Sequence, residues 1–170
     1  NRIAMHPFAP PETLTKMANR LMKGEAEEER PGTMVSNLLK NDNLPSNLIA
    51  PLIEWSKTQQ DSRMYGKPFD AKIFKDTLAP SAMLAAAQSQ NTPAEILGEI
   101  GDVFFDSDTG FEMAAMHALT TNKNTPKDLL LKFTKHSNGS IRDYAKKALQ
   151  KLADQTEMDS LRENFKRFLK

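Results

Sequence analysis

The sequence predicts an all-α fold built as an array of repeated helical units. A short signature, proline followed by two residues and an aliphatic, occurs five times: Pro11-Glu12-Thr13-Leu14, Pro45-Ser46-Asn47-Leu48, Pro80-Ser81-Ala82-Met83, Pro93-Ala94-Glu95-Ile96 and Pro126-Lys127-Asp128-Leu129. The prolines step by 34, 35, 13 and 33 residues, and a recurring period of this size marks stacked supersecondary units. Apolar residues after each proline fall at helical spacing, and no run alternates with period two between turn signals.

Each proline is expected to open a helix, because the first helical turn does not need its missing N–H and its φ is already helical. Asn91-Thr92 before Pro93 and Asn124-Thr125 before Pro126 are expected to supply caps. Glu12, Glu95 and Asp128 place negative charge in the first turn, where the helix dipole favours it. Leu14, Met17, Ala18 and Leu21 share one face of the first helix. Leu48, Ile49, Leu52, Ile53 and Trp55 do so in the next, with Pro51 expected to kink it or limit its first turn, and Leu129, Leu130 and Phe133 form the stripe of the last such helix. Second helices are expected over 33–40, 70–78, 110–120 and 140–153. The repeats then run over 9–42, 43–79, 91–122 and 123–153, with a truncated, degenerate unit at 80–90. Segments 24–32 and 58–68 read as loops from their glycines and prolines. Residues 156–170 carry Met158, Leu161, Phe165, Phe168 and Leu169 at helical spacing, the pattern of a helix that covers the last repeat, as terminal repeats require; docking onto another chain or onto the rest of a longer protein is the other use of such a stripe.

Composition narrows the classes of function. The chain is 39% hydrophobic and 26% charged, ordinary for a globular protein. No apolar run approaches the about 20 residues that span a bilayer, so no membrane insertion is expected, and the mixed, polar start of the sequence is no secretory signal. The sequence begins with Asn1 rather than Met, the mark of a fragment of a longer protein or of a processed form; cytoplasm is the default compartment. With no cysteine, disulfides, thiol nucleophiles and cysteine-held zinc are excluded. The net charge of +1 hides an asymmetry: residues 121–170 carry 12 Lys/Arg and 6 Asp/Glu, residues 1–120 carry 11 and 16. Such a basic end can steer an acidic partner or nucleic acid, although an uneven solvated surface explains it as well.

The final unit opens with Asn124-Thr125-Pro126-Lys127-Asp128-Leu129-Leu130 and closes with Ser140-Ile141-Arg142-Asp143-Tyr144-Ala145-Lys146-Lys147-Ala148-Leu149. It resembles HEAT-like repeats of the leucine-rich-variant subgroup, in which an Asn-Thr-Pro start precedes a leucine-rich helix and the second helix reads Val-Arg-x-x-Ala-x-x-Ala. Ile141-Arg142 stands in the Val-Arg place and Ala145 and Ala148 at the small positions. Residues 91–152 carry the likeness, with Asn91-Thr92-Pro93 and Ala114, Ala115 and Ala118 in the preceding unit, which lacks the arginine. The resemblance implies a short, irregular, right-handed α-solenoid of helical hairpins with a C-terminal capping helix, and an arginine that bonds neighbouring loops or carboxylates. Solenoids of this kind serve many roles.

No catalytic, cofactor or metal site is expected. His6, His117 and His136 lack ligand spacing, and His117 reads as packed beside a helix interface. Asp102, Asp106, Asp108 and Glu112 surround a turn without the calcium-loop register. Phosphate-loop, dinucleotide and nucleophile-elbow motifs are missing, and Asn138-Gly139-Ser140 reads as a helix-start turn that matches the glycosylation pattern by chance. Trp55, Phe133, Tyr144 and the methionines read as core. The remaining candidates are Lys132, Lys135, Arg142, Lys146, Lys147 and Lys151, a basic set suited to a partner or to phosphates. The function expected is therefore a non-enzymatic protein-interaction or scaffold module; the alternative is a nucleic-acid binder using the basic C-terminal repeat.

Overall fold

The computed structural model of the chain describes residues 2–25, 31–59, 77–105 and 112–168. Among them are eight α-helices and no strand: α1 Pro11–Met22, α2 Pro31–Lys40, α3 Ile49–Lys57, α4 Ala79–Gln88, α5 Ala94–Phe105, α6 Glu112–Thr121, α7 Lys127–Phe133 and α8 Gly139–Phe168. The expected helix over 70–78 and the acidic turn 106–110 lie almost wholly outside the described residues, as do parts of the expected loops 24–32 and 58–68.

The prolines sit at helix starts. Pro11 is in the first turn of α1 and Pro80 in that of α4; Pro10 and Pro126 are the N-cap residues of α1 and α7. A single 3-10 turn, Ser46–Leu48, leads into α3, so Pro51 falls in the first turn of that helix. There it interrupts nothing, because the first four N–H groups have no intrahelical partner. Helix α1 ends in a Schellman turn. Gly24 takes φ 71°, its N–H bonds Leu21 O at 3.0 Å, and Glu25 N–H bonds Arg20 O at 2.9 Å, a backbone shape that favours glycine.

Packing arranges the helices in two rows. Helices α2, α4, α6 and α8 contact one another in that order, and each also packs on the helix that precedes it: α1 on α2, α3 on α4, α5 on α6, α7 on α8. In the other row α1 touches α3 and α5 touches α7. The core is continuous from Ala4 to Ala145, with Leu14, Leu38, Leu52, Ile100, Phe104, Met116 and Phe133 among its largest buried side chains. Trp55 is half-buried against it.

Helix α4 covers the segment expected as a degenerate repeat. Its alanines 79, 82, 85, 86 and 87 are all buried, and it packs on α2, α3 and α6 together. A helix made mostly of small side chains tolerates neighbours on nearly every side. Gly101 does the same locally: a Cβ there would lie 2.5 Å from Cδ2 of Leu129, so α5 and α7 meet through its missing side chain.

The helix expected over 156–170 is not separate. Helix α8 runs unbroken from Gly139 to Phe168, and every residue from 151 to 160 is exposed. The side chains of Leu161, Phe165, Phe168 and Leu169, which make up most of the expected stripe, lie outside the described ones.

A ladder of side-chain amides joins successive turns. Asn41 donates both amide N–H groups to the preceding turn, to Ala4 O at 2.9 Å and His6 O at 3.0 Å, while its Oδ1 accepts Asn43 N–H at 3.0 Å. Asn43 in turn reaches Pro7 O at 2.7 Å and Ala9 O at 3.3 Å. The pattern recurs two stack positions later. Asn122 bonds Ala87 O at 2.9 Å and Ser89 O at 2.7 Å, its Oδ1 accepts Asn124 N–H at 3.0 Å, and Asn124 bonds Gln90 O at 2.8 Å and Thr92 O at 3.1 Å. Between these rungs the chemistry varies. Ser89 Oγ and Gln90 N–H both donate to Asp42 Oδ1 at 3.1 Å, and the Asn91 amide donates to Leu44 O. The turns 4–10, 41–45, 89–93 and 122–126 are thus bonded in sequence.

Asparagine and threonine before the prolines therefore do a different job from the caps expected of them. The hydroxyls of Thr92 and Thr125 donate backward, at 2.6 Å each, to Ala86 O and Leu119 O at the end of the preceding helix. No side chain caps α7.

Candidate functional site

The basic candidates divide by what already holds them. Lys132 is engaged: Nζ lies 2.9 Å from Asp102 Oδ1 and 4.4 Å from the centre of the Phe105 ring. Arg142 is spent on its own turn, with Nη1 donating to His136 O at 2.8 Å and Ser137 O at 2.7 Å. The loop it bonds is the one before its own helix. Lys135, Lys146, Lys147 and Lys151 are exposed. Of these, Lys147 and Lys151 share one surface feature, a groove of about 440 Å³ at the last turn.

Three elements build this groove. The end of α6 and the turn after it contribute Thr120, Thr121, Asn122, Lys123 and Thr125; α7 contributes Leu130; α8 contributes Tyr144, Lys147, Ala148, Lys151, Leu152 and Gln155. It exists because α6 stops at Thr121 while α8, parallel to it in the same row, continues for several turns. Tyr144, Ala148, Leu152 and Gln155 recur at the three- and four-residue spacings that put side chains on one helical face. The lining is mainly apolar and carries three lysines, Lys123, Lys147 and Lys151. A larger depression of about 570 Å³ along α1 is lined by Pro11, Glu12, Lys16, Arg20 and Lys23 among others, with no aromatic or large aliphatic side chain.

Sequence reasoning placed Tyr144 in the core; it is 38% exposed. Its ring meets His117 edge-on at 4.8 Å across the α6–α8 boundary, which places His117 beside a helix interface on the surface. Phe133 is fully buried. Lys123, Leu152 and Gln155 escaped notice because nothing local distinguishes them. Their signal is positional: each sits where one helix has ended and its neighbour has not.

The other histidines serve turns. His6 Nδ1 accepts Phe8 N–H at 3.2 Å and His136 Nδ1 accepts Asn138 N–H at 3.0 Å, the role that Asn41 and Asn122 fill with Oδ1. Asn138 Oδ1 accepts Ser140 N–H at 2.9 Å at the start of α8, in keeping with a helix-start turn. Among the described residues no cluster of three or more His, Asp or Glu is placed to hold a metal ion, and no helix is long and apolar enough to cross a membrane.

No protein-family model, curated protein or solved structure matches this chain.

Proposed function

We propose that the chain is a non-enzymatic protein-interaction or scaffold module: a short right-handed α-solenoid of HEAT-like hairpins within a larger protein or assembly. The hairpins are α1/α2, α3/α4, α5/α6 and α7/α8, with α4 as the second helix of the second hairpin. The two helix rows and the ladder of turns support that reading.

The observation that carries the function is the groove at the last turn. It combines Leu130, Tyr144, Ala148 and Leu152 with a rim of Lys123, Lys147 and Lys151. An apolar centre with a polar margin is the anatomy of a protein-binding patch. The test is capture of partners by the tagged chain from extracts of the cells that make it. Leu152→Asp and the pair Lys147→Glu/Lys151→Glu are expected to lose proteins that the unaltered chain retains. Identical capture by all three removes the reading.

A nucleic-acid reading keeps one specific support: Tyr144 lies in the same groove as the three lysines, the pairing of ring and cation that single strands use. A salt titration decides it. Affinity for an oligonucleotide should fall steeply with salt and be lost with Lys147→Glu/Lys151→Glu; no binding at low salt excludes it.

A further inference from the structure

Most side-chain donors in the groove at the last turn are already engaged. The hydroxyls of Thr120 and Thr121 donate to His117 O at 2.9 and 3.1 Å, and that of Thr125 to Leu119 O at 2.6 Å. Gln155 Nε2 donates to Asp159 Oδ1 at 3.0 Å, and Asn122 gives both amide N–H groups to the ladder. The donors left over are the Tyr144 hydroxyl and the ammonium groups of Lys123, Lys147 and Lys151. Among the described residues none of these three lysines has an ion-pair partner, and no Asp or Glu lines the groove. Lys132, by contrast, is matched by Asp102 at 2.9 Å. The free cations stand on two sides: Lys123 on the turn after α6, Lys147 and Lys151 one helical turn apart on α8.

The apolar part of the groove continues the core. On α8, Ile141, Ala145, Ala148 and Leu152 follow one another at steps of four, three and four residues, which keeps them on one face. Ile141 and Ala145 are buried, whereas Leu152 is 37% exposed. The inward stripe of α8 thus runs on into the groove, which Leu130 and Tyr144 also line.

We propose that the groove takes an acidic peptide segment, with an aliphatic side chain against Ala148 and Leu152 and carboxylates held by Lys147 and Lys151 on one side and Lys123 on the other. This rests on the reading of the groove as a protein-binding site and names the partner's chemistry. Charge complementarity carries the choice. A neutral or basic segment would cover the apolar lining while drying cations that it cannot pair, which is costly; a segment with carboxylates beside its apolar residue pairs them. The lining also favours carboxylates over the phosphates of a single strand. Such strands are held by rings on which successive bases stack. Tyr144 is the one ring of this lining, and it already meets His117 edge-on at 4.8 Å.

Fluorescence anisotropy with defined probes tests the proposal. The probe is a labelled peptide with leucine between runs of glutamate. Two control peptides replace its glutamates by glutamine or its leucine by serine, and an oligothymidylate stands for a single strand. The unaltered chain should bind the acidic leucine peptide, less tightly as salt rises, and both control peptides more weakly. Lys147→Glu/Lys151→Glu should weaken binding about tenfold or more, because two attractions become repulsions. The same variant should bind a peptide with lysine in place of glutamate better than the unaltered chain does. Leu152→Asp should also weaken the acidic peptide. Lys135→Glu/Lys146→Glu makes the same charge change on exposed residues off the groove and should leave affinity unchanged; circular dichroism checks that each variant keeps its fold. Absence of binding, equal binding of the glutamine peptide, equal loss in the off-groove pair, or tighter binding of the oligothymidylate would each overturn the proposal. If the acidic peptide does not bind while Leu152→Asp still loses a captured protein, the partner's chemistry is wrong and the interaction module stands.

Discussion

A buried asparagine amide has two N–H donors and one carbonyl acceptor, and Asn122 uses all of them while only 5% exposed. Removing such a group leaves buried partners without a bond, which costs about 1–3 kcal/mol. Asn122→Ala is expected to lose stability in that range in urea denaturation. Asn122→Asp should lose more, because an ionised carboxylate has no donor and would face the Ala87 and Ser89 carbonyls, acceptor against acceptor. An equal or smaller loss for the aspartate would show that the amide donors matter little. The sequence shows the asparagines and prolines but not this use. The expected cap fails on position: Pro126 occupies the N-cap of α7, which leaves Thr125 and Asn124 one and two residues too early to reach the first N–H groups. Their donors turn to the previous helix and the previous turn.

At the scale of elements, helix starts and apolar faces are legible because they depend on neighbours within a few residues. The burial of Leu14, Ala18, Leu21, Ile49, Leu52, Leu129 and Phe133 follows from spacing alone. Helix α8 shows where this stops. No glycine or proline interrupts residues 140–170, so an unbroken helix is compatible with the sequence, yet the stripe from Met158 onward reads equally well as a covering helix. The fold leaves residues 151–160 exposed, held by local bonds such as Gln150 to Asp154 at 2.7 Å and Gln155 to Asp159 at 3.0 Å. Such pairs stabilise a helix by only about 0.2–0.5 kcal/mol each. Amide hydrogens over 154–166 should therefore exchange far faster than those over 141–149, where Ile141 and Ala145 are buried. Equal protection would mean that this stretch of α8 is covered in solution.

Across the whole molecule, the turns of the ladder bond their neighbours in sequence among the described residues, so a lost rung is felt locally. Asn41→Ala removes the bonds to Ala4 and His6; it should speed hydrogen exchange in α1 and the first turn while leaving α7 and the groove at the last turn protected as before. Uniform loosening along the chain would instead show a single cooperative unit. The candidate site was legible in part: Lys147 and Lys151 were found from charge, but Lys132 and Arg142 shared that charge and are held by Asp102 and by backbone carbonyls. Charge is a property of the residue, whereas availability depends on what the fold sets beside it. The sequence by itself determined the helical class, the helix starts and the faces that turn inward, since capping geometry and periodicity act over a few residues. Only the tertiary structure decided which carbonyls the asparagines meet, which lysines stay free and where the groove opens, because those partners lie about thirty residues or more along the chain and are brought together only when the helices stack.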